Sequence, residues 1–221
     1  MPVPSPQTAA AAINNTATCT DIKIITARAS TEAAGEGAQS VLWPQPFQSG
    51  TSQTVTRTSV SYPALLNPYL PSVASGVAAM KADLIAAVDA CPDQKIVLLG
   101  YSQGAECISD TLAGGGGGTL GTATDAVDYD KYGSHVKAAV MYGDPRYMTS
   151  QQSFHVGTCL QNGIFPRTSD QSLSNYSNVT KTYCDFGDPF CCSGLDVMAH
   201  LDYVTKYNMA ALSFFWGKVG K

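Results

Sequence analysis

Apolar residues along this chain cluster in short runs and in one long stripe spaced three and four apart. The runs are DIKIITA from residue 21, KIVLLG from residue 95 and VKAAVMY from residue 136. Their length and β-branched content predict strands, and the absence of polar alternation in KIVLLG predicts burial on both faces. Val55 to Tyr62 (VTRTSVSY) alternates as a half-buried strand does, and Pro63 ends it. The stripe is Val73, Val77, Met80, Leu84 and Val88, which predicts a helix from Pro71 to Ala90 with proline in its first turn. A second helix is expected from Gln103 to about Leu112, closed by the five glycines at 114–118. A last helix is expected from Tyr203 to Trp216, with Tyr203, Tyr207, Ala210, Ala211 and Phe214 on one face. Residues 43–53 read as a loop, 149–180 carry no clear period, and Thr182 to Cys184 read as the end of one more strand. Strands alternating with helices predict an α/β protein with a mainly parallel sheet.

Composition narrows this picture. A chain of 221 residues suffices for one large domain. Residues 1–18, rich in Pro, Ala, Thr and Asn, are expected to form a flexible arm, and residues 19–221 the single folded domain. A 14% charged and 44% apolar composition argues against disorder. Thirteen Lys+Arg, a net charge of −4 and no basic run argue against nucleic-acid or anionic-membrane partners. No apolar stretch reaches the roughly 18 residues of a membrane span. Seven cysteines without a CxxC pair, and only three histidines, lack the spacing of zinc or iron–sulfur ligands, so no metal is expected. Sequons at Asn14-Asn15-Thr16, Asn175-Tyr176-Ser177 and Asn178-Val179-Thr180 favour an oxidising compartment. A secreted protein is therefore expected, and a monomer; the opening MPVPSP has neither the basic nor the apolar region of a signal peptide, so the leader of a secreted protein would already have been removed.

The chemistry enters at Gly100-Tyr101-Ser102-Gln103-Gly104, a G-x-S-x-G pattern directly after a buried strand and opening a helix. That context predicts a sharp turn presenting the Ser102 hydroxyl at the carboxyl end of the sheet. A serine nucleophile needs a histidine base and a carboxylate that orients it, following in that architecture in the order Ser, acid, His. His135 immediately precedes a strand, which puts it at the wrong end of the sheet. His155 lies in an irregular segment. His200 follows five carboxylates and precedes the last helix, so it is the expected base. Asp144, Asp170, Asp185, Asp188, Asp196 and Asp202 all compete for the acid. Asp144 closes its strand and is a rival on topology. Asp188 lies between Cys184 and Cys191, where a disulfide would hold it on a rigid loop. Spacing leaves the choice open.

At these residues the sequence resembles the cutinase and acetylxylan esterase family of small secreted serine hydrolases. The resemblance is carried by ARAST at 27–31, GYSQGA at 100–105, CDFGDPFC at 184–191 and AHLDY at 199–203, and covers roughly Cys19 to Val219. It implies a three-layer α/β-hydrolase-like fold and a triad of Ser102, Asp188 and His200. It also implies an oxyanion hole from the backbone N–H groups of Gln103 and Ser30. No cofactor is implied. Tyr62-Pro63-Ala64, Gly157-Thr158-Cys159 and the doubled Cys191-Cys192 look closer to the acetylxylan esterases. Against this, the stretch with Leu65, Leu66 and Tyr69 is more apolar than a sugar-facing loop needs, and lacks a small disulfide that those esterases carry there. Tyr101, Phe190, Leu195, Val197 and Met198 are candidates to line the substrate pocket. The expected activity is hydrolysis of short-chain carboxylic esters, acetyl esters on xylan first. A cutinase-like polyester or lipid-ester activity is the alternative, and a non-catalytic binding or elicitor role a lesser one. The disulfide pairing that goes with the resemblance is Cys19–Cys91, Cys184–Cys191 and Cys159–Cys192, with Cys107 a free core thiol.

Overall fold

The computed structural model describes residues 19–41, 43–44 and 52–221. The expected arm at 1–18 and most of the loop at 43–53 lie outside the described residues. Among those described, six strands form one sheet: β1 (Ile22–Ala27), β2 (Val55–Ser59), β3 (Lys95–Tyr101), β4 (Val136–Tyr142), β5 (His155–Val156) and β6 (Thr180–Tyr183). Their order is β2-β1-β3-β4-β6-β5 and every pair is parallel.

Alternation along the strands divides the core in two. Ile25, Leu98, Ala139 and Met141 face α1 (Tyr69–Ala90) and α2 (Gln103–Ala113). Ile24, Val97, Leu99, Val140 and Tyr142 face α4 (Tyr203–Val219). Helices on both faces of a parallel sheet make three layers, and they explain why β3 is buried from Ile96 onward. A short helix, α3 (Val197–Leu201), precedes α4. No helix among the described residues is long and apolar enough to cross a membrane.

Three details differ from the sequence reading. β2 ends at Ser59, because Tyr62 turns inward: its hydroxyl donates to the Arg28 carbonyl, and Arg28 Nη2 donates back to the Tyr62 carbonyl at 2.6 Å. The segment expected to extend the strand instead pins the loop after β1. The buried stripe of α4 is Tyr203, Asn208, Ala211, Phe215 and Val219, so Ala210 is exposed and Phe214 only partly covered. Asn208 draws the helix into that phase, since its Oδ1 accepts from Trp43 Nε1 and from the Tyr142 hydroxyl, each at 2.9 Å. The stretch without a clear period holds two 3-10 turns, Thr149–Phe154 and Ser174–Tyr176, and the two-residue β5.

Three disulfides staple the fold: Cys19–Cys91, Cys159–Cys192 and Cys184–Cys191, while Cys107 is a buried free thiol in α2. The first bridge sits at the amino ends of β1 and β3. The chain's other end reaches the same place, where Lys95 Nζ donates to the Val219 carbonyl at 2.6 Å.

Candidate active site

β3 ends at Tyr101 and α2 starts at Gln103, leaving one residue for the turn. Ser102 takes it at φ 54 and ψ −118, a strained conformation for a non-glycine residue. Its side chain makes no capping bond to α2, and it is partly exposed in a helix otherwise buried throughout. The second glycine of the motif is dictated by packing: a Cβ at residue 104 would lie 2.0 Å from the Ala27 carbonyl oxygen. That close approach brings the nucleophile turn against the loop after β1. The loop is fastened by Thr31 N–H to the Ala64 carbonyl at 2.7 Å and by Ala29 N–H to Glu32 Oε2 at 2.6 Å. Ser30 from that loop and Ser102 line the same cavity. The side chain of Gln103 is fixed at both ends: Oε1 accepts from Ser72 Oγ at 2.8 Å, and Nε2 donates to the Leu65 carbonyl at 3.0 Å. Its backbone N–H begins a helix, where such groups lack intrahelical partners.

His200 enters from α3. Its Nδ1 donates to Asp188 Oδ2 at 2.7 Å. The ring packs against Phe190, with centroids 4.5 Å apart, and against Tyr101 at 5.5 Å. The Tyr101 hydroxyl donates to the His200 carbonyl. Asp188 is fully buried and saturated. Oδ1 accepts from the N–H groups of Phe190 at 2.7 Å and Cys191 at 3.1 Å, and Oδ2 accepts from His200 and from the Tyr203 hydroxyl at 2.7 Å. Burial opposes its ionisation. The hydrogen bond and charge of His200, with those from Tyr203 and Phe190, outweigh burial and hold the carboxyl below its ordinary range.

The other acids are engaged elsewhere. Asp144 Oδ1 accepts the Arg146 N–H at 2.9 Å, and its Oδ2 lies 3.7 Å from Arg167 Nη2. Asp185 binds Lys206, Tyr207 and Thr158. Asp196 caps α3 through the Met198 N–H, and Asp170 and Asp202 are exposed. His155 packs against Tyr147 with the rings tilted and their centroids 4.6 Å apart.

Ser102 and His200 face a cavity of about 720 Å³. Of the pocket candidates, Tyr101, Phe190 and Val197 line it. Leu195 and Met198 do not: they are 97% and 63% exposed. On α3, Val197, His200 and Leu201 line the cavity while Met198 does not, and Leu195 lies before the helix begins. Leu66, Tyr69, Ile164, Phe165 and Leu201 complete the walls. Sequence reasoning did not single out Tyr203, whose place in AHLDY was its only signal. It also missed Gly143, where a Cβ would lie 2.6 Å from His200 Cε1. Together these groups can draw a proton from a hydroxyl, hold the resulting positive charge on His200 and shelter a reacting acyl group from water.

A family profile described as Cutinase matches residues 18–219. Acetylxylan esterase 2 of Talaromyces purpureogenus is 33% identical over 210 residues, 91% of this chain and 88% of that protein. The acetylxylan esterase of Hypocrea jecorina is 33% identical over 89% of this chain, which spans 66% of its length. Among solved structures, the catalytic core domain of acetyl xylan esterase from Trichoderma reesei superposes with a TM-score of 0.82 and 32% identity, over 90% of this chain and 99% of that one. A cutinase-like protein from Cryptococcus sp. shares the fold, with a TM-score of 0.68 at 21% identity over 90% and 95% of the two chains.

Proposed function

This chain belongs to the cutinase family and is a carboxylic ester hydrolase, and on that premise we propose that Ser102, His200 and Asp188 carry an acyl-enzyme cycle on acetyl esters of xylan. The supporting observation is the pairing of His200 Nδ1 with a fully buried Asp188, on a cavity shared with a strained Ser102. Ser102 Oγ bonds to the ester carbonyl carbon while His200 Nε2 takes its proton. The carbonyl oxygen becomes an oxyanion, received by the N–H groups of Gln103 and Ser30. Collapse breaks the ester C–O bond, and the alcohol leaves with the proton from His200. Water then attacks the acyl-enzyme, gives its proton to His200 and releases the acid, and Ser102 recovers its hydrogen. One oxyanion donor is worth about 2.7–4 kcal/mol of barrier.

The names of the two aligned esterases support the acetyl reading. The rim supports a second one, hydrolysis of longer acyl or polyester substrates. Leu66, Ile164, Val197 and Leu201 expose aliphatic surface around the mouth, and each methylene buried there can contribute about 0.8 kcal/mol. Secretion fits the three disulfides and the exposed sequon asparagines Asn175 and Asn178. An organophosphonate should label wild type and not Ser102→Ala, and that variant should lose activity by several orders of magnitude with the fold intact. Across p-nitrophenyl esters kcat/KM is expected to peak at short acyl chains. A value still rising at about ten carbons, each added methylene gaining burial, would move the assignment to the longer esters.

A further inference from the structure

Beneath the cavity lies a buried group of charges that ester hydrolysis leaves unused. Glu106 and Asp110 stand one turn apart on α2, Asp144 follows β4, and Arg146 and Arg167 reach in from the loops beyond; all five are buried. Asp110 Oδ1 lies 2.9 Å from Arg167 Nη1 and 3.1 Å from Arg146 Nε. Asp144 binds the Arg146 backbone and lies near Arg167. Each guanidinium thus lies against an aspartate, and Arg146 donates besides to Gln171 Oε1 and to the Gly116 carbonyl. Lys81, near Glu106 and Asp110 on the adjoining cavity wall, gives its ammonium to the Asp125 carbonyl. The neighbouring Cys107 is a buried thiol held neutral, mainly by burial.

Glu106 has no such partner. Its Oε2 accepts from the Tyr69 hydroxyl, and its Oε1 is buried without any hydrogen bond. Three carboxyls face two guanidiniums, so full ionisation would leave a net negative charge out of water. An unpartnered oxygen on a neutral acid costs far less than one on a carboxylate. Burial first, then the charges of Asp110 and Asp144, push the Glu106 carboxyl up to about 8, while the Tyr69 hydrogen bond and Arg146 pull the other way. Burial raises Asp110 as well, but its two guanidiniums oppose that directly.

We propose that Glu106 keeps its proton where the enzyme works and, as a neutral carboxylic acid, acts as a positioning residue that holds Tyr69 in the wall of the substrate cavity. Tyr69 is the link: its ring lines the cavity against Phe165, with centroids 5.6 Å apart, and its hydroxyl ends on Glu106. Ionisation adds a third anion beside Asp110 and Asp144, and the strain is relieved by moving the Tyr69 wall and admitting water. The effect falls on substrate binding, because Glu106 touches neither His200 nor Asp188. The kinetic half of the proposal rests on the esterase reading; the protonation half does not.

The chain contains three glutamates, Glu32, Glu36 and Glu106, so labelling their carboxyl carbons with carbon-13 gives three resonances to follow by NMR. One should hold the protonated position through neutral pH, and it should be the one missing from Glu106→Gln. In kinetics, wild-type KM for a short p-nitrophenyl ester should rise at least about threefold from neutral pH to about pH 9.5, with a smaller change in kcat. That ratio should flatten in Glu106→Gln, which keeps an acceptor for Tyr69 and cannot ionise. It should flatten also in Tyr69→Phe, which cuts the tie while the high carboxyl midpoint persists. Three glutamates already ionised at neutral pH would overturn the protonation, and this reads out on wild type even if Glu106→Gln does not fold. A full alkaline rise of KM in Tyr69→Phe would overturn the positioning role. Loss of organophosphonate labelling would sink the esterase reading and leave the NMR result standing.

Discussion

Asp188 accepts four hydrogen bonds on two oxygens, and this has consequences for both activity and stability. Its folded pKa lies below its ordinary value of 3.8, so its ionised form stabilises the fold above that value. The contribution is lost as pH falls through the depressed folded value. Urea unfolding of wild type and Asp188→Asn should therefore differ most near neutrality, and the gap should narrow below about pH 4. The same variant should lower kcat by about four orders of magnitude through the wrong His200 tautomer. Tyr203→Phe removes one of the four bonds, should cost about 1.5–3 kcal/mol of stability, and should lower kcat far less than Asp188→Asn. At this scale the nucleophile turn was legible, because strand, glycines and helix surround Ser102 in sequence. The choice between Asp144 and Asp188 was not. It depends on where Arg146 and Arg167 fold back, and no local spacing encodes that. Tyr203 was hidden for a similar reason: an aromatic residue on a helix face reads as core.

Among the elements, α4 shows how a polar residue can set the phase of an apolar face. Asn208 satisfies Trp43 and Tyr142 at once, and Trp43 then packs on Phe215 with centroids 5.0 Å apart. Asn208→Ala would strand both donors in the core, so it should destabilise by about 2–5 kcal/mol in a urea melt. Ala210→Ser, on the exposed side of the same helix, should stay within about 0.5 kcal/mol of wild type. A hydrophobicity pattern weighs Asn208 as surface, which is the wrong way here, and Phe214 as core, where it packs only at the edge. β1, β3 and β4 were readable to within a residue because each is a short, mostly apolar run, broken only by Lys23 and Thr26 in β1 and by Lys137 in β4. β5 and α3 were not: two and five residues carry no period. The misplacement of Met198 follows from missing α3, whose phase decides which of its side chains meet the cavity, while Leu195 lies before that helix in a segment with no period to place it.

Across the whole molecule, parallel pairing brings the strand ends level. Ala27 pairs with Gly100, Tyr101 with Tyr142, and Tyr142 with Tyr183. The loops bearing Ser30, Ser102 and Asp188 therefore leave the sheet at one end, and α3 brings His200 to them. The α/β class and its mainly parallel sheet were legible from the alternation of runs and stripes, and the three layers from the family resemblance. The cavity walls were legible in part: Tyr101, Phe190 and Val197 were expected there, whereas Ile164 and Phe165 come from a segment without a pattern. The Cys19–Cys91 bridge and the Lys95–Val219 bond lie at the opposite end, where β1 and β3 begin. The chain thus has a working face and a handle. Coupled to a solid support through Lys221, the enzyme should hydrolyse a dissolved ester as the free enzyme does. Coupled through Leu66→Cys, it should turn its mouth to the bead and fall nearly silent. For a catalyst meant to work on an insoluble polymer, the handle end is where a tether or a cargo can be attached with the mouth still facing the substrate.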